Sequence, residues 1–357
     1  MKDNFRAWEI EPLPEVNNLS KAEMMKHLAG WAILAPNAHN IQPWKFILNP
    51  AKNTIAICLD KRGILHASDK DGRQAVIGLG CSIANLLLAS KYYGLINELR
   101  LPSENETLKL EPGILAEIVF KEWQPKICGE FFNFMKAMKN RRVNRGKYDP
   151  QKEIPEEFEK TISETAKIFG TKLYTIRDML TKIAISEIQF NADQHVMFTK
   201  KFREELRDVI LPNDTDQYVG IPGGTLGLSD ETTIKVIDEL KREMAGDPDV
   251  LSGNAYVGRE GIKSSPLVCV IAGKNDTPHW WLKAGITFGA IAAAAEAAGL
   301  NIAVHAAIIE VKILRASLKL RLFASETPLV LFRLGYATEN KPRSPRLNVE
   351  SVVEIVN

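Results

Sequence analysis

Two stretches, GCSIANLLLASKYYGL (Gly80–Leu95) and GITFGAIAAAAEAAGL (Gly285–Leu300), read as one element written twice. Each opens on a glycine and closes 14 positions later on Gly-Leu, at Gly94-Leu95 and at Gly299-Leu300. Glycine often ends helices, because it alone takes the left-handed cap conformation cheaply, so one such pair carries little. Here each stretch follows a β-rich apolar run and precedes another strand. Matching positions in two α+β units point to a duplication.

Outward from these helices, the pattern predicts two units. Ser20-Lys21-Ala22-Glu23 has the form of a capping box, and Met25, Leu28, Ala29, Ala32 and Ile33 fall on one helical face up to Pro36. Strands are expected at Lys45–Leu48, Thr54–Leu59, near Leu99 and at Leu115–Phe120, with a helix from Gly72 to Tyr93. Phe131–Met138 reads as a linker helix. The second unit is expected to hold a helix that starts on Pro155, a long charged helix from Asp178 to Ile210 and a Gly/Pro-rich loop. After a helix near Ser229 come a strand at Leu267–Ala272, the Ala-rich helix, a helix at Val311–Leu322 and a strand at Leu329–Leu334. The division expected is 15–128 for the first half and 129–357 for the second, with a lid inserted at about 212–228.

Composition is that of a globular chain: 357 residues, 45% hydrophobic and 25% charged. A net charge of +2 steers toward neither nucleic acid nor membrane. Cys58, Cys81, Cys128 and Cys269 form no C-x-x-C pair, and the histidines lack metal-ligand spacing, so buried reduced thiols and no metal are expected. The apolar run Gly285–Val304 is rich in small residues, is interrupted by Glu296, and reads as a helix at a tight interface rather than a membrane span. No apolar leader precedes the first unit, and a cytoplasmic protein is expected. Ser-His-Asp order, P-loop and G-x-G-x-x-G are all missing.

Three segments carry candidate chemistry. Ala35-Pro36-Asn37-Ala38-His39-Asn40-Ile41-Gln42-Pro43-Trp44 presents amides that donate and accept, suited to the edge of a planar heterocycle; on composition alone an ordinary Asn/Pro turn with a core Trp44 is the commoner reading. Lys139-Asn140-Arg141-Arg142-Val143-Asn144-Arg145-Gly146-Lys147 is the dense basic run, and arginine grips phosphate bidentately. A solvated linker is the commoner meaning of such a run, and a nucleic-acid patch lacks aromatic support. Arg343 and Arg346 stand in a Pro-flanked tail, fit either to return to a phosphate or to remain disordered.

Together these segments resemble the nitroreductase family, specifically its tandem, Acg-type FMN-binding branch. Ala35–Trp44 looks like the family's A-P-S-x-x-N-x-Q-P-W loop, Arg141–Arg145 its R-R-[ST]-x-R phosphate motif, and Asn85–Ala89 with Gly94-Leu95 its N-L-L-L-A-A…G-L helix. Arg333-Leu334-Gly335-Tyr336 and the tail resemble its C-terminal end. The resemblance implies an α+β, nitroreductase-like fold of two fused half-units, each a mostly antiparallel sheet flanked by helices, forming an intrachain pseudo-dimer. It implies one FMN per chain, with Arg141, Arg142 and Arg145 on phosphate and ribityl, aided by Arg343 or Arg346. Pro36, Asn37, Asn40 and Gln42 would line the flavin from the other half, and His305 and Ala306 would lie against the ring. Val143 replaces the family's Ser/Thr, with Asn144 as a substitute contact. Tyr218, Ile221, Pro222 and Leu226 belong to the implied lid.

Two functions follow from the resemblance. One is an oxidoreductase passing electrons from NAD(P)H through flavin N5 to a small nitro-aromatic or quinone acceptor, with no protein general acid. The other is FMN sequestration with little turnover. A mobile lid between Tyr218 and Leu228 favours the first, and a packed lid the second. A monomer would suffice for the site, with further dimerisation left open; neither nucleic acid nor membrane is an expected partner.

Overall fold

The computed structural model of the chain describes residues 2–16, 18–105, 113–242 and 248–356. In the first half, α1 (Lys21–Ala32) leads into β1 (Trp44–Asn49), β2 (Thr54–Leu59), α2 (Arg73–Tyr92), β3 (Asn97–Arg100), β4 (Ile114–Phe120) and α3 (Phe132–Asn140). The second half runs α4 (Glu156–Ile168), β5 (Lys172–Ile176), α5 (Met179–Phe198), α6 (Lys200–Val209), β6 (Ile210–Leu211), β7 (Ile221–Pro222), α7 (Asp230–Leu240) and α8 (Pro248–Ser264). It continues through β8 (Leu267–Gly273), α9 (Pro278–Ala297), β9 (Asn301–Val304), α10 (Ala307–Glu310), α11 (Lys312–Arg321), β10 (Thr327–Gly335) and β11 (Val353–Ile355).

Sheet topology repeats with the sequence. One sheet has the order β11-β1-β2-β4-β3, the other β5-β8-β10-β9. Removing β11 leaves the same antiparallel path twice: first strand, second strand, long helix, edge strand, inner strand. The inner strands β2 and β8 are buried along their whole lengths, as their unbroken apolar runs require. The halves differ most in one connection. A short turn joins β1 to β2, whereas α5–α8 and the lid are inserted between β5 and β8.

The repeated glycines meet. A Cβ added to Gly80 would lie 2.8 Å from the Gly285 Cα and 2.3 Å from the Leu282 carbonyl oxygen. A Cβ on Gly285 would lie 2.9 Å from the Gly80 Cα and 2.1 Å from the Ile77 oxygen. Helices α2 and α9 therefore cross backbone to backbone, which no larger residue allows. At their far ends Gly94 and Gly299 take φ of +60° and +72° and close the same C-terminal motif. Leu95 N–H reaches the Ser90 carbonyl at 2.9 Å and Leu300 N–H the Ala295 carbonyl at 2.8 Å. One hydrophobic core then runs through both halves, from Trp31 and Leu79 to Leu282 and Phe332.

Several expectations are corrected. Asp178–Ile210 is two helices, parted at Thr199, whose extended backbone (φ −84°, ψ 115°) swings α6 off the axis of α5. Pro155 is the N-cap of α4 rather than its first residue. The short β5 and α8, a helix weak in pattern, were not anticipated. Nor was β11, which leaves the half expected at 129–357 and pairs in parallel with β1, Phe46 opposite Val353. Its three residues satisfy an otherwise open sheet edge. All four thiols are free, but Cys128 is half-exposed rather than buried. The capping box at Ser20 and Glu23 forms as expected. Among the described residues α2 is the helix long and apolar enough to cross a membrane, with 78% of that window buried inside the protein.

Candidate anion-binding cleft between the halves

After α1 the chain enters the Ala35–Trp44 loop, where His39, Asn40 and Gln42 take positive φ of 47°, 54° and 52°. Left-handed backbone is costly for such residues and persists only where surroundings over-determine it. Here the loop's own amides do so. Asn37 Oδ1 accepts the Gln42 N–H at 2.9 Å. The Asn40 amide donates to the carbonyls of Gly220 at 3.0 Å and Pro345 at 2.9 Å. Gln42 donates to the Tyr218 carbonyl at 2.6 Å and accepts the Leu347 N–H at 2.8 Å. Asn40 and Gln42 thus bind the loop to the lid and the tail.

Against this loop, from the other side, come the arginines. Arg141 is buried and donates to the Leu34 carbonyl at 2.9 Å. Arg346, buried, donates to Asn40 Oδ1, to the Pro345 carbonyl at 2.9 Å and to the Ala35 carbonyl at 3.3 Å, and lies 4.8 Å from the Trp8 ring centre. Arg343 donates to Asn140 Oδ1 at 3.1 Å and also stacks on Trp8. The Nε atoms of Arg141, Arg142, Arg343 and Arg346 are buried without a hydrogen-bond partner. Among the described residues none of Arg141, Arg142, Arg145, Arg343 or Arg346 forms an ion pair. Burial therefore pushes Arg141 down to about 10, and lowers Arg145 and Arg346 as well, each with a neighbouring arginine's repulsion added for the last two. Glu296 is the carboxylate within electrostatic reach of Arg141, Arg142 and Arg343; burial raises its pKa.

The cleft so formed is lined by Pro36, Asn37, His39 and Asn40 from the first half, by Arg141, Arg142, Val143, Arg145, Arg343 and Arg346 from the second, and by Ile221 and Thr225 of the lid. Its inner part leaves about 70 Å³. An outer groove of about 450 Å³ adjoins it, sharing Arg142, Pro342 and Arg343. The lid over both is packed: Gly220 N–H meets the Asn40 carbonyl, and β6 pairs with β7. Buried Asn4, from a 3-10 helix at Asp3–Glu9, donates to the carbonyls of Thr215 and Gln217, both at 2.9 Å. Tyr218 donates to Asp3, and Lys2 pairs with Asp214 at 2.5 Å.

Not every candidate residue reaches the cleft. The Asn144 side chain closes a turn instead, donating to the Glu339 carbonyl at 2.7 Å and accepting the Gly146 N–H at 3.0 Å. Pro222 lines the outer groove, while Tyr218 and Leu226 line neither space. His305 and Ala306 lie outside the lining too. His305 belongs to an interior polar cluster: a Cβ on Gly258 would stand 3.7 Å from its Nδ1 and 3.0 Å from Asp193 Oδ2. Burial holds His305 well below its ordinary value and raises Asp193 to about 7 and nearby Glu310 to about 8. Arg333 is buried scaffolding that donates to the carbonyls of Arg145 at 2.8 Å and Gly146 at 2.9 Å. Trp8 and Phe5 were missed; an aromatic pair in an amphipathic N-terminal segment gives no sign in sequence of folding back 200 residues and more.

No family model matches the chain. Part of it is 35% identical over 89 residues to the Mycobacterium tuberculosis protein Acg, which is named for NAD(P)H nitroreductase activity; the match spans 25% of this chain and 26% of that one. A second M. tuberculosis protein, uncharacterised, is 28% identical over 129 residues, 35% of this chain and 36% of its own. The matched segments thus span well under half of either relative. Among solved structures, the FMN-dependent nitroreductase NfnB of Mycobacterium smegmatis in complex with NADPH is similar over 63% of this chain and 98% of its own, at 16% identity and TM-score 0.42. The NADPH:FMN oxidoreductase of Vibrio harveyi complexed with NAD+ is similar over 62% and 76%, at 13% identity and TM-score 0.38. The chain is thus similar to Acg over a quarter of its length, and it carries duplicated α+β halves with a cleft between them.

Proposed function

We propose that the cleft binds FMN and that the chain is a flavin oxidoreductase of the nitroreductase type, taking electrons from NAD(P)H to a small nitro-aromatic or quinone acceptor. One observation carries the reading: several buried guanidinium groups face a single cleft with no carboxylate paired to them. A buried charge is costly unless paired and hydrogen-bonded, and a phosphate dianion meets both needs. In this reading Arg141, Arg145 and Arg346 hold the phosphate at the inner end, and Arg142 and Arg343 flank the mouth. Pro36, Asn37 and His39 form the opposite wall. When bound, FMN supplies hydride transfer at N5; the protein binds, orients and excludes water. His39, held by burial down to about 4, stays neutral and so leaves the phosphate ligation to the arginines. Residues of both halves complete one site, so one chain suffices.

A second reading, flavin retention with little turnover, is favoured by the lid. It is packed, and the inner cleft of about 70 Å³ falls well short of the roughly 300–1,000 Å³ usual for ligand sites. The flavin ring therefore requires the lid and Trp8 to part. An absorbance spectrum of the purified protein, then anaerobic addition of NADH or NADPH, separates the readings. Prompt bleaching of flavin bands supports the oxidoreductase. Bands that persist for many minutes support retention. A colourless protein that cannot be reconstituted with FMN removes both.

A further inference from the structure

The outer groove is not explained by a flavin phosphate at the inner arginines. Its volume of about 450 Å³ is in the range of small-molecule sites. Two guanidinium groups, Arg142 and Arg343, enter it from one side, each with a buried Nε that has no partner. Burial lowers the pKa of Arg343, and the neighbouring charge of Arg142 adds to it. Phe5 forms an aromatic wall, and Gly224 of the lid forms another without a side chain. Among the described residues no carboxylate lines the groove. Phe5 packs on the main core, so that wall is held in place rather than free to swing.

We propose that this groove is a nucleotide subsite that takes the 2′-phosphoadenosine end of NADPH, making the chain selective for NADPH over NADH. This rests on the flavin reading above and names its electron donor. The chemistry follows from the walls. A phosphomonoester carries close to two negative charges at neutral pH, which matches two adjacent guanidinium groups better than the singly charged links of a pyrophosphate. On a 2′-phosphorylated ribose the adenine stands beside that phosphate, so one ring can stack on Phe5 while the phosphate meets Arg142 and Arg343. Stacking of a base on an aromatic side chain is sequence-tolerant, since every base has a π-face. The adenosine of FAD offers the same base, with pyrophosphate charge in place of a phosphomonoester, and the test separates the two sources.

The flavin is first released from the purified protein and identified, and the FMN-loaded protein is then titrated calorimetrically with NADP+ and with NAD+. Oxidised dinucleotides are used so that binding is read without turnover. NADP+ is expected to bind at least about tenfold more tightly than NAD+, the scale of one charge-assisted hydrogen bond. Arg142→Gln is expected to reduce that preference to within about twofold, whereas Phe5→Ala weakens both dinucleotides alike, as loss of stacking should. Equal binding of NADP+ and NAD+ overturns the proposal. So does FAD as the released flavin, because its adenylate then fills the groove. Displacement of FMN by NADP+ overturns it also, by showing that the two phosphates share one subsite. NADP+ selectivity in a protein that takes up no FMN supports the groove and removes the flavin reading instead.

Discussion

An unpaired buried guanidinium costs several kcal/mol even after relaxation, and Arg141, Arg145 and Arg346 face the cleft without an ion pair among the described residues. Replacing such a group by an isosteric apolar side chain should therefore leave the ligand-free protein no less stable. For Arg145→Met we expect a stability equal to the parent's or about 1 kcal/mol higher, with FMN affinity at least about tenfold weaker. Thermal unfolding with and without FMN checks both halves of that statement. Glu310 carries a prediction in pH. Its carboxyl is raised by burial from 4.5 to about 8, so the unfolded chain ionises it where the folded chain does not. Stability is lost as pH rises through that window, and Glu310→Gln should show a gain near zero at pH 4 that grows to about 4 kcal/mol by pH 8. A gain that does not vary with pH would count against this. At this scale the arginines were legible as types, since few residues grip phosphate. Which of their donors are already used by carbonyls of Leu34 and Ala35 was not, because those partners are remote in sequence.

The α2–α9 crossing is the element most exposed to a single change. With the Ile77 oxygen 2.1 Å from a Cβ at Gly285, a valine there must separate the helices, and we expect Gly285→Val to cost about 3 kcal/mol or to prevent folding. At Gly299, where nothing stands within 4 Å of an added Cβ, alanine meets only its left-handed backbone and should cost about 1 kcal/mol. Denaturant titration distinguishes the two. The lid is a second element with a separable behaviour. It closes through Asn4 and Gln42, so Asn4→Ala should speed FMN release by about tenfold, read by fluorescence after mixing with excess apoflavin-binding competitor. An unchanged release rate would mean that the lid does not gate the cleft. The repeated helices were readable because a glycine needed for close approach recurs at a fixed distance from a glycine needed for a cap. The break at Thr199 was not, since charged helical residues lie on both sides and only the turn toward Ala67 and Ser68, which Glu205 holds at 2.7 and 3.0 Å, reveals it.

At the scale of the whole molecule the halves share one core, and Trp31 and Leu79 belong to the same buried cluster as Leu282 and Phe332. Unfolding should accordingly be a single transition, with far- and near-ultraviolet circular dichroism coincident; two separated transitions would mean that the halves are independent. Duplication was legible from Gly80 and Gly285. The exchange of the tail was not, because Val353-Glu354-Ile355 is short and finds its partner only in space.

That tail has a consequence for how the chain is made. Strand β1 is complete once residue 49 has been synthesised, but its parallel neighbour is not available until residue 355. At the usual pace of about 5–20 residues per second, the ribosome leaves that flank of the sheet bare for on the order of 15–60 s. Throughout that interval the nascent first half offers a ready template for another nascent chain. Slow translation or crowded polysomes should thus select against yield well before any weakness of the finished protein is felt.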